Sequence, residues 1–77
     1  MENSTPKLEK AKKLSKRELE VFELLLQGMS NSQIASTLGI ARKTVEEHLT
    51  SIYTKIEVRS RAQAILWGRE QSRGLPH

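Results

Sequence analysis

Three copies of a helix-starting motif constrain this chain more strongly than any other feature. In the pattern Ser-x-x-Glu or Ser-x-x-Gln, the serine side chain accepts a hydrogen bond from the backbone N–H three residues later, and the acid or amide reaches back to the serine N–H. The pattern occurs at residues 15–18, 30–33 and 60–63. A chain of 77 residues holds one small core. The motifs therefore predict a single domain built from short helices.

The spacing of hydrophobic residues predicts the first of these helices. It is predicted from about Lys16 to Gln27 and ends at Gly28, because glycine tolerates the left-handed conformation that follows many helices. Leu14, just before the first cap, pairs with Leu19 in the pattern of a hydrophobic staple. The residues predicted to be buried are Leu19, Phe22, Leu25 and Leu26.

A very short turn separates the next two helices. The second starts after Ser30 and ends at Gly39, and the third is predicted from about Arg42 to Ile56. Only three residues, 39–41, lie between them, and a tight turn with glycine is typical of a helix-turn-helix. The predicted core residues are Ile34, Ala35 and Leu38 in the second helix and Val45, Leu49, Ile52 and Ile56 in the third.

A fourth helix and two chain ends complete the predicted organisation. The third starting motif places this helix from about residue 60 to 71, since Gly74 and Pro76 oppose its continuation. No strand-like alternation is present. The predicted fold is an all-α, four-helix (tetrahelical) helix-turn-helix domain over residues 14–74. Residues 1–13 are predicted to be a flexible arm or linker, and residues 75–77 a tail.

The outward face of the third helix carries the chemistry expected of a DNA reader. In a helix-turn-helix the second helix of the pair lies in the major groove. Its face opposite the apolar stripe is polar and mostly short, which allows close approach to the groove floor. The alternative is an ordinary solvated face, which usually holds more long charged residues. The face carries Lys43, Glu47, Thr50, Ser51 and Thr54, with Glu46 on its flank.

Phosphate contacts need cations and backbone N–H groups. The start of the second helix, at Ser30, Asn31 and Ser32, offers free amides, hydroxyls and the positive end of a helix dipole. Arg42, Lys43 and Lys55 flank the reading face. The net charge of +4 is concentrated at the chain ends, with +2 in residues 1–14, −1 in residues 15–58 and +3 in residues 59–77. Basic ends favour a polyanionic partner.

These motifs in combination resemble the LuxR-type (GerE-like) DNA-binding domain of bacterial transcription regulators, the output module of NarL-type response regulators. The resemblance covers about residues 14–68 and rests on LSKRELEVF, GMSNSQIA, TVEEH with SIYTKI, and RSRAQA. Region 4 of sigma factors is similar in the first three helices. The SRAQAILW segment favours the LuxR type, which implies sequence-specific binding of double-stranded DNA by a homodimer on two half-sites.

The resemblance also implies roles for individual residues. Glu46, Glu47 and Thr50 match base-reading positions, and Lys43 lies beside them. The fourth helix matches the contact between subunits, which is small and predicts a dimer favoured by DNA. The residues predicted to touch phosphates are Ser30, Asn31, Ser32, Arg42, Thr44, Thr54 and Lys55, and those predicted at the dimer interface are Ala62, Leu66, Arg69 and Glu70. Leu66 and Trp67 are equally compatible with core packing.

Two departures from the family pattern concern the ends of the third helix. Ala41 stands where the family commonly has a capping serine, a loss of about 1 kcal/mol. Ile56-Glu57-Val58 replaces Leu-Gly-Val, so the turn after this helix must form without glycine. Glu18 and Glu20 are hypothesised to form ion pairs with Arg59 or Arg61.

Other functions find little support in the residues. Glu46, Glu47 and His48 are consecutive and diverge on a helix, so no metal or catalytic cluster is predicted. No cofactor, enzymatic activity, membrane span or secretory signal is expected, and a cytoplasmic location is predicted. The alternative is a protein-interaction module that contacts RNA polymerase or another regulator. The chain is either a complete small regulator or an excised output domain.

Overall fold

The computed structural model describes residues 13–74, with side chains to residue 71, and within that range it contains four helices and no strand. They are α1 (Lys16–Leu26), α2 (Asn31–Leu38), α3 (Arg42–Ile56) and α4 (Arg61–Gly74). The predicted all-α helix-turn-helix fold is confirmed. Residues 1–12 of the predicted arm and the predicted tail lie outside the described residues.

The starting motifs form the expected hydrogen bonds. In the first two, the serine Oγ lies 3.1 Å from the backbone nitrogen three residues later. The returning side-chain oxygens lie 2.9 and 2.8 Å from the serine nitrogens. In the third, Ser60 Oγ accepts from Gln63 N at 3.1 Å, but Gln63 Oε1 accepts from Arg59 N instead of the serine. Each motif starts a helix locally, as predicted.

One core lies between the four helices. Val21, Phe22 and Leu25 of α1 are buried, but Leu19 is 42% exposed and its predicted burial is wrong. Leu19 is one position beyond Glu18, which occupies the inward face, and neighbouring helical residues point about 100° apart. The buried hydrophobic residues of the other helices are Ile34, Ala35, Val45, Leu49, Ile52, Ile56, Ala64 and Trp67.

Helix α4 packs closely against α1. A Cβ atom at Gly68 would lie 2.6 Å from Leu26 Cδ2 and 2.9 Å from the tip of the Phe22 ring, so glycine permits this approach. Trp67 is buried, with its ring centroid 5.8 Å from that of Phe22, whereas Leu66 is 60% exposed. The helix continues through residue 74, three residues beyond its predicted end. Gly74 therefore does not stop the helix before residue 74.

The two ends of α3 are formed without the usual residues. Ala41 occupies the N-cap with extended backbone and no side-chain hydrogen bond. At the other end Glu57 adopts the left-handed conformation, with φ of 63°. Val58 N then donates to Tyr53 O at 3.0 Å. The turn therefore forms without glycine, although a side chain in this conformation costs about 1–2 kcal/mol.

Ala41→Ser is expected to stabilise the domain by about 1 kcal/mol. The backbone at Ala41 (φ −71°, ψ 148°) closely matches that of the two serine caps, so a hydroxyl there can accept from the backbone three residues later. Urea unfolding followed by circular dichroism measures the change. Ala41→Val, which adds bulk without an acceptor, is the control and should bring no gain. An equal gain from both variants would contradict the capping explanation.

Candidate nucleic-acid interface

Helix α3 has one buried face and one open face. Val45, Leu49 and Ile52 pack inward against the other helices. On the opposite side all four predicted base-reading residues are exposed, together with the predicted phosphate contacts Arg42 and Thr54. Thr44 is half-buried. Apart from the half-buried Ser51, the residues predicted to form the reading face share one accessible surface: Lys43, Glu46, Glu47, Thr50 and Thr54.

The two threonines on this face donate their hydroxyl protons to backbone carbonyls of α3 itself. Thr50 Oγ1 donates to Glu46 O, and Thr54 Oγ1 donates to Thr50 O, both at 3.0 Å. Each hydroxyl oxygen therefore keeps lone pairs that can accept a hydrogen bond. Thr50 is suited to accept a hydrogen bond from a base. A phosphate only accepts, so Thr54 must release its helix carbonyl before it can donate to one.

The charged groups on the face are nearly free. Arg42 Nε lies 3.4 Å from Glu46 Oε2, but both side chains are more than half exposed, so this pair contributes little to stability. Among the described residues, Lys43 and Glu47 form no hydrogen bond or ion pair. The face thus offers one free ammonium and one free carboxylate to a ligand.

Glu18 joins α1 to the inner edge of α3. Glu18 is buried, with 7% of its surface exposed. Oε1 accepts from Lys55 Nζ at 2.7 Å and from Ser15 N at 2.9 Å, and Oε2 accepts from Ser51 Oγ at 2.7 Å. Burial by itself raises the pKa of Glu18, but the hydrogen bonds from Lys55, Ser51 and Ser15 lower it to about 2. This cluster fixes the position of α3 on α1.

The ion pairs of Glu18 and Glu20 differ from the predicted ones, and Lys55 is partly engaged by the protein itself. Glu18 and Glu20 do not pair with Arg59 or Arg61, because Glu18 binds Lys55 and Glu20 binds Arg17 at 3.1 Å. Lys55, predicted to contact phosphate, already donates to Glu18 with its side chain 35% exposed. Two of its three ammonium protons remain for another acceptor.

The start of α2 is partly occupied by its own cap. Ser30 uses its hydroxyl and its N–H in the capping box with Gln33. The N–H groups of Asn31 and Ser32 have no partner within the helix, since the first turn lacks carbonyls to bind. This end of α2 borders an open cleft, where the side chain of Arg61 also lies; the cleft is lined by residues 28–33, Arg42 and Arg61.

The predicted dimer residues lie together on α4. Ala62, Leu66, Arg69 and Glu70 are all exposed, at spacings that place them along one side of the helix. Of the two residues that were equally compatible with core packing, Trp67 is buried in the core and Leu66 is exposed.

The described residues do not meet the requirements of a metal site or of a membrane-spanning helix. Residues 13–71 contain no group of three or more His, Asp or Glu side chains arranged to hold a metal ion. None of the four helices is long and apolar enough to cross a membrane. His48 is half-buried on α3, one position beyond Glu47.

The chain is similar to known proteins over most of its length. The family model described as bacterial regulatory proteins, luxR family (GerE), matches residues 12–67. The spore germination protein GerE of Bacillus subtilis (strain 168) is 47% identical over 53 residues, which are 69% of this chain and 72% of GerE. The nitrate/nitrite response regulator protein NarP of Escherichia coli (strain K12) is also 47% identical over 53 residues, but these represent 25% of NarP.

Two solved structures share the fold. The response regulator StyR superimposes with a TM-score of 0.76 and 37% identity over 80% of this chain and 31% of StyR. The response regulator ChrA of a heme-sensing two-component system gives a TM-score of 0.71 and 46% identity over 77% of this chain and 29% of ChrA. The chain thus spans about a third or less of these longer regulators.

Proposed function

The chain belongs to the luxR family of bacterial regulatory proteins and is a LuxR-type DNA-binding domain, and we propose that it binds double-stranded DNA sequence-specifically as a homodimer on two half-sites. The family is one of transcription regulators and not of enzymes. In this proposal α3 lies in the major groove, α2 crosses the backbone, and α4 joins the two copies.

The two-sided character of α3 carries the proposal. Its buried face fixes the helix on the core, and its exposed face holds short polar groups and acceptors that suit base edges. Lys43, Glu46, Glu47 and Thr50 are the proposed base contacts. A helix face that contacts only solvent does not require its hydrogen-bond acceptors to lie together on one surface.

Phosphate contacts are proposed around this face. Asn31 and Ser32 contribute the free amides at the start of α2, while Ser30 serves mainly as the cap that holds them. The remaining contacts are proposed for the side chains that border α3, namely Arg42, Thr44, Thr54 and Lys55.

Salt dependence of binding tests the proposal. Several phosphate contacts predict that affinity for a mixed-sequence duplex falls by at least about 100-fold between about 50 and 200 mM salt. Arg42→Gln should reduce the slope of log affinity against log salt by about 0.9, the value for one phosphate contact. Arg17→Gln on α1, whose partner is Glu20, is the matched control and should leave the slope unchanged. Absence of binding at low salt would instead support a protein-interaction module that contacts RNA polymerase or another regulator.

Leu66→Glu tests the proposed dimer. Leu66 is the most exposed large apolar side chain among the described residues, and full burial of a leucine side chain contributes about 1.5–3 kcal/mol. Affinity for DNA with two half-sites should fall about tenfold, while affinity for one half-site stays constant. Leu19→Glu makes the same change at the exposed site on α1 and should preserve both affinities. Equal losses on one and two half-sites would contradict the α4 dimer.

A further inference from the structure

Arg61 ties the start of α4 to the start of α2. Its Nη1 donates to Asn31 Oδ1 at 2.8 Å, and its Nη2 donates to the backbone carbonyl of Met29 at 2.5 Å. The two acceptors lie on either side of Ser30, the N-cap of α2. The planar guanidinium therefore holds the short segment that leads into α2 by two parallel bonds, which a lysine ammonium does not reproduce.

The bond to Asn31 decides which end of its side-chain amide is available. Arginine only donates, so it pairs with Oδ1 and leaves the Nδ2 group with its two N–H donors. Within the described residues these donors have no partner. An amide held in this way is ready to bind an acceptor, and a phosphate oxygen is an acceptor.

The electrostatics of the position favour an anion. Arg61 brings a positive charge beside the positive end of the α2 dipole, an unfavourable place for a cation. The ion pairs formed between described residues do not include it, and both its acceptors are neutral oxygens. Arg42 lines the same open cleft. A phosphate there would offset the combined positive potential of the two side chains and the helix end.

We propose that Arg61 is a positioning residue for DNA binding, which orients the Asn31 amide so that its N–H donors face a phosphate. This inference rests on the proposed function, because the phosphate belongs to the bound duplex. It assigns to α4 a second role beside dimerisation, since a residue of its first turn prepares the backbone contact made by α2.

A double-mutant cycle in DNA affinity tests the inference. The variants are Arg61→Lys, Asn31→Ala and the two combined, measured on a mixed-sequence duplex of about 30 base pairs, long enough for two half-sites about one helical turn apart. Arg61→Lys keeps the charge and loses the forked contact. It should weaken binding about tenfold in the natural background, the effect of one charge-assisted hydrogen bond. With Asn31→Ala present it should have little further effect.

Further variants separate positioning from stability. Arg59→Lys makes the same change at an exposed arginine two residues earlier and should leave binding unchanged. Asn31→Asp still offers an oxygen to Arg61 and adds a favourable charge at a helix start, but it replaces the N–H donors with a carboxylate. It should therefore raise the unfolding midpoint and lower DNA affinity.

The results that would contradict the role of Arg61 differ from those that would contradict DNA binding itself. If the natural chain binds the duplex and Arg61→Lys costs the same factor in both backgrounds, the positioning role is wrong and the proposed function stands. If Asn31→Asp leaves affinity unchanged, the amide does not contact phosphate and the inference is again wrong. If the natural chain shows no salt-dependent binding, the proposed function itself fails, and Arg61 has no DNA contact to position.

Discussion

Glu18→Gln is expected to lower the free energy of unfolding at pH 7 by up to about 3 kcal/mol. Glutamine has the shape of the protonated acid, so the substitution removes the charge that Lys55, Ser51 and Ser15 stabilise. The pKa of Glu18 lies at about 2, against an ordinary value of 4.5, and a difference of this size corresponds to about 3 kcal/mol as an upper bound. For a small domain this is a large part of the total stability.

The same linkage predicts how stability depends on pH. Because the folded pKa is lower than the unfolded one, the contribution of Glu18 is present above the unfolded pKa of 4.5 and is lost as the pH falls toward 2. The natural chain should lose stability across this window, and Glu18→Gln should lose much less. Urea unfolding from pH 7 to about 2, followed by the fluorescence of Trp67, measures both profiles.

Glu20→Gln is the matched control. Glu20 also belongs to α1 and accepts from Arg17 at 3.1 Å, but both side chains are more than 40% exposed. Its replacement should change stability by less than about 1 kcal/mol, as for other surface pairs. Parallel pH profiles for the natural chain and Glu18→Gln would show that the buried carboxylate is not the source of the acid sensitivity.

Glu47→Ala is expected to relax base preference without weakening general affinity for DNA. A carboxylate in the major groove accepts from the cytosine N4 amino group and disfavours bases that present acceptors. Its removal should reduce the discrimination between the preferred base and others by about 1–3 kcal/mol at that position. Non-specific affinity should stay constant or rise, because one negative charge no longer repels the phosphates.

Selection of bound sequences from a random DNA pool measures this effect. The natural chain should enrich a preferred base at the position facing Glu47, and the variant should enrich it less. Glu23→Ala removes an equal charge from an exposed position on α1 and should keep the natural preference. An equal loss of affinity for every sequence with Glu47→Ala would show that this residue does not read a base.

Much of the fold follows from local patterns. The capping motifs and the apolar stripe of α3 give the start of all four helices and both bounds of α3, because they act between residues three or four positions apart. The inward face of α1 was less predictable. Leu19 and Val21 are both apolar, and the choice between them depends on how α1 is rotated against its neighbours. That rotation places Glu18 inward and leaves Leu19 exposed.

The reading face was also accessible to sequence reasoning, since residues opposite a buried stripe must face outward. What the pattern of residues did not show is which polar groups are already engaged. Thr50 and Thr54 donate to their own helix, and Lys55 is bound by Glu18. These pairings depend on rotamers and on the distance between helices, which a residue pattern does not contain.

By itself, then, the sequence determined the four short helices, the tight turn between α2 and α3, and the polar face of α3, because each depends on near neighbours along the chain. Only the tertiary structure decided the long-range contacts. Glu18 meets Ser51 and Lys55 across 33 and 37 residues, and Arg61 reaches Asn31 across 30. Such contacts form only after the core has set the position of each helix, since a side chain selects its partner among the groups that packing brings within about 3 Å.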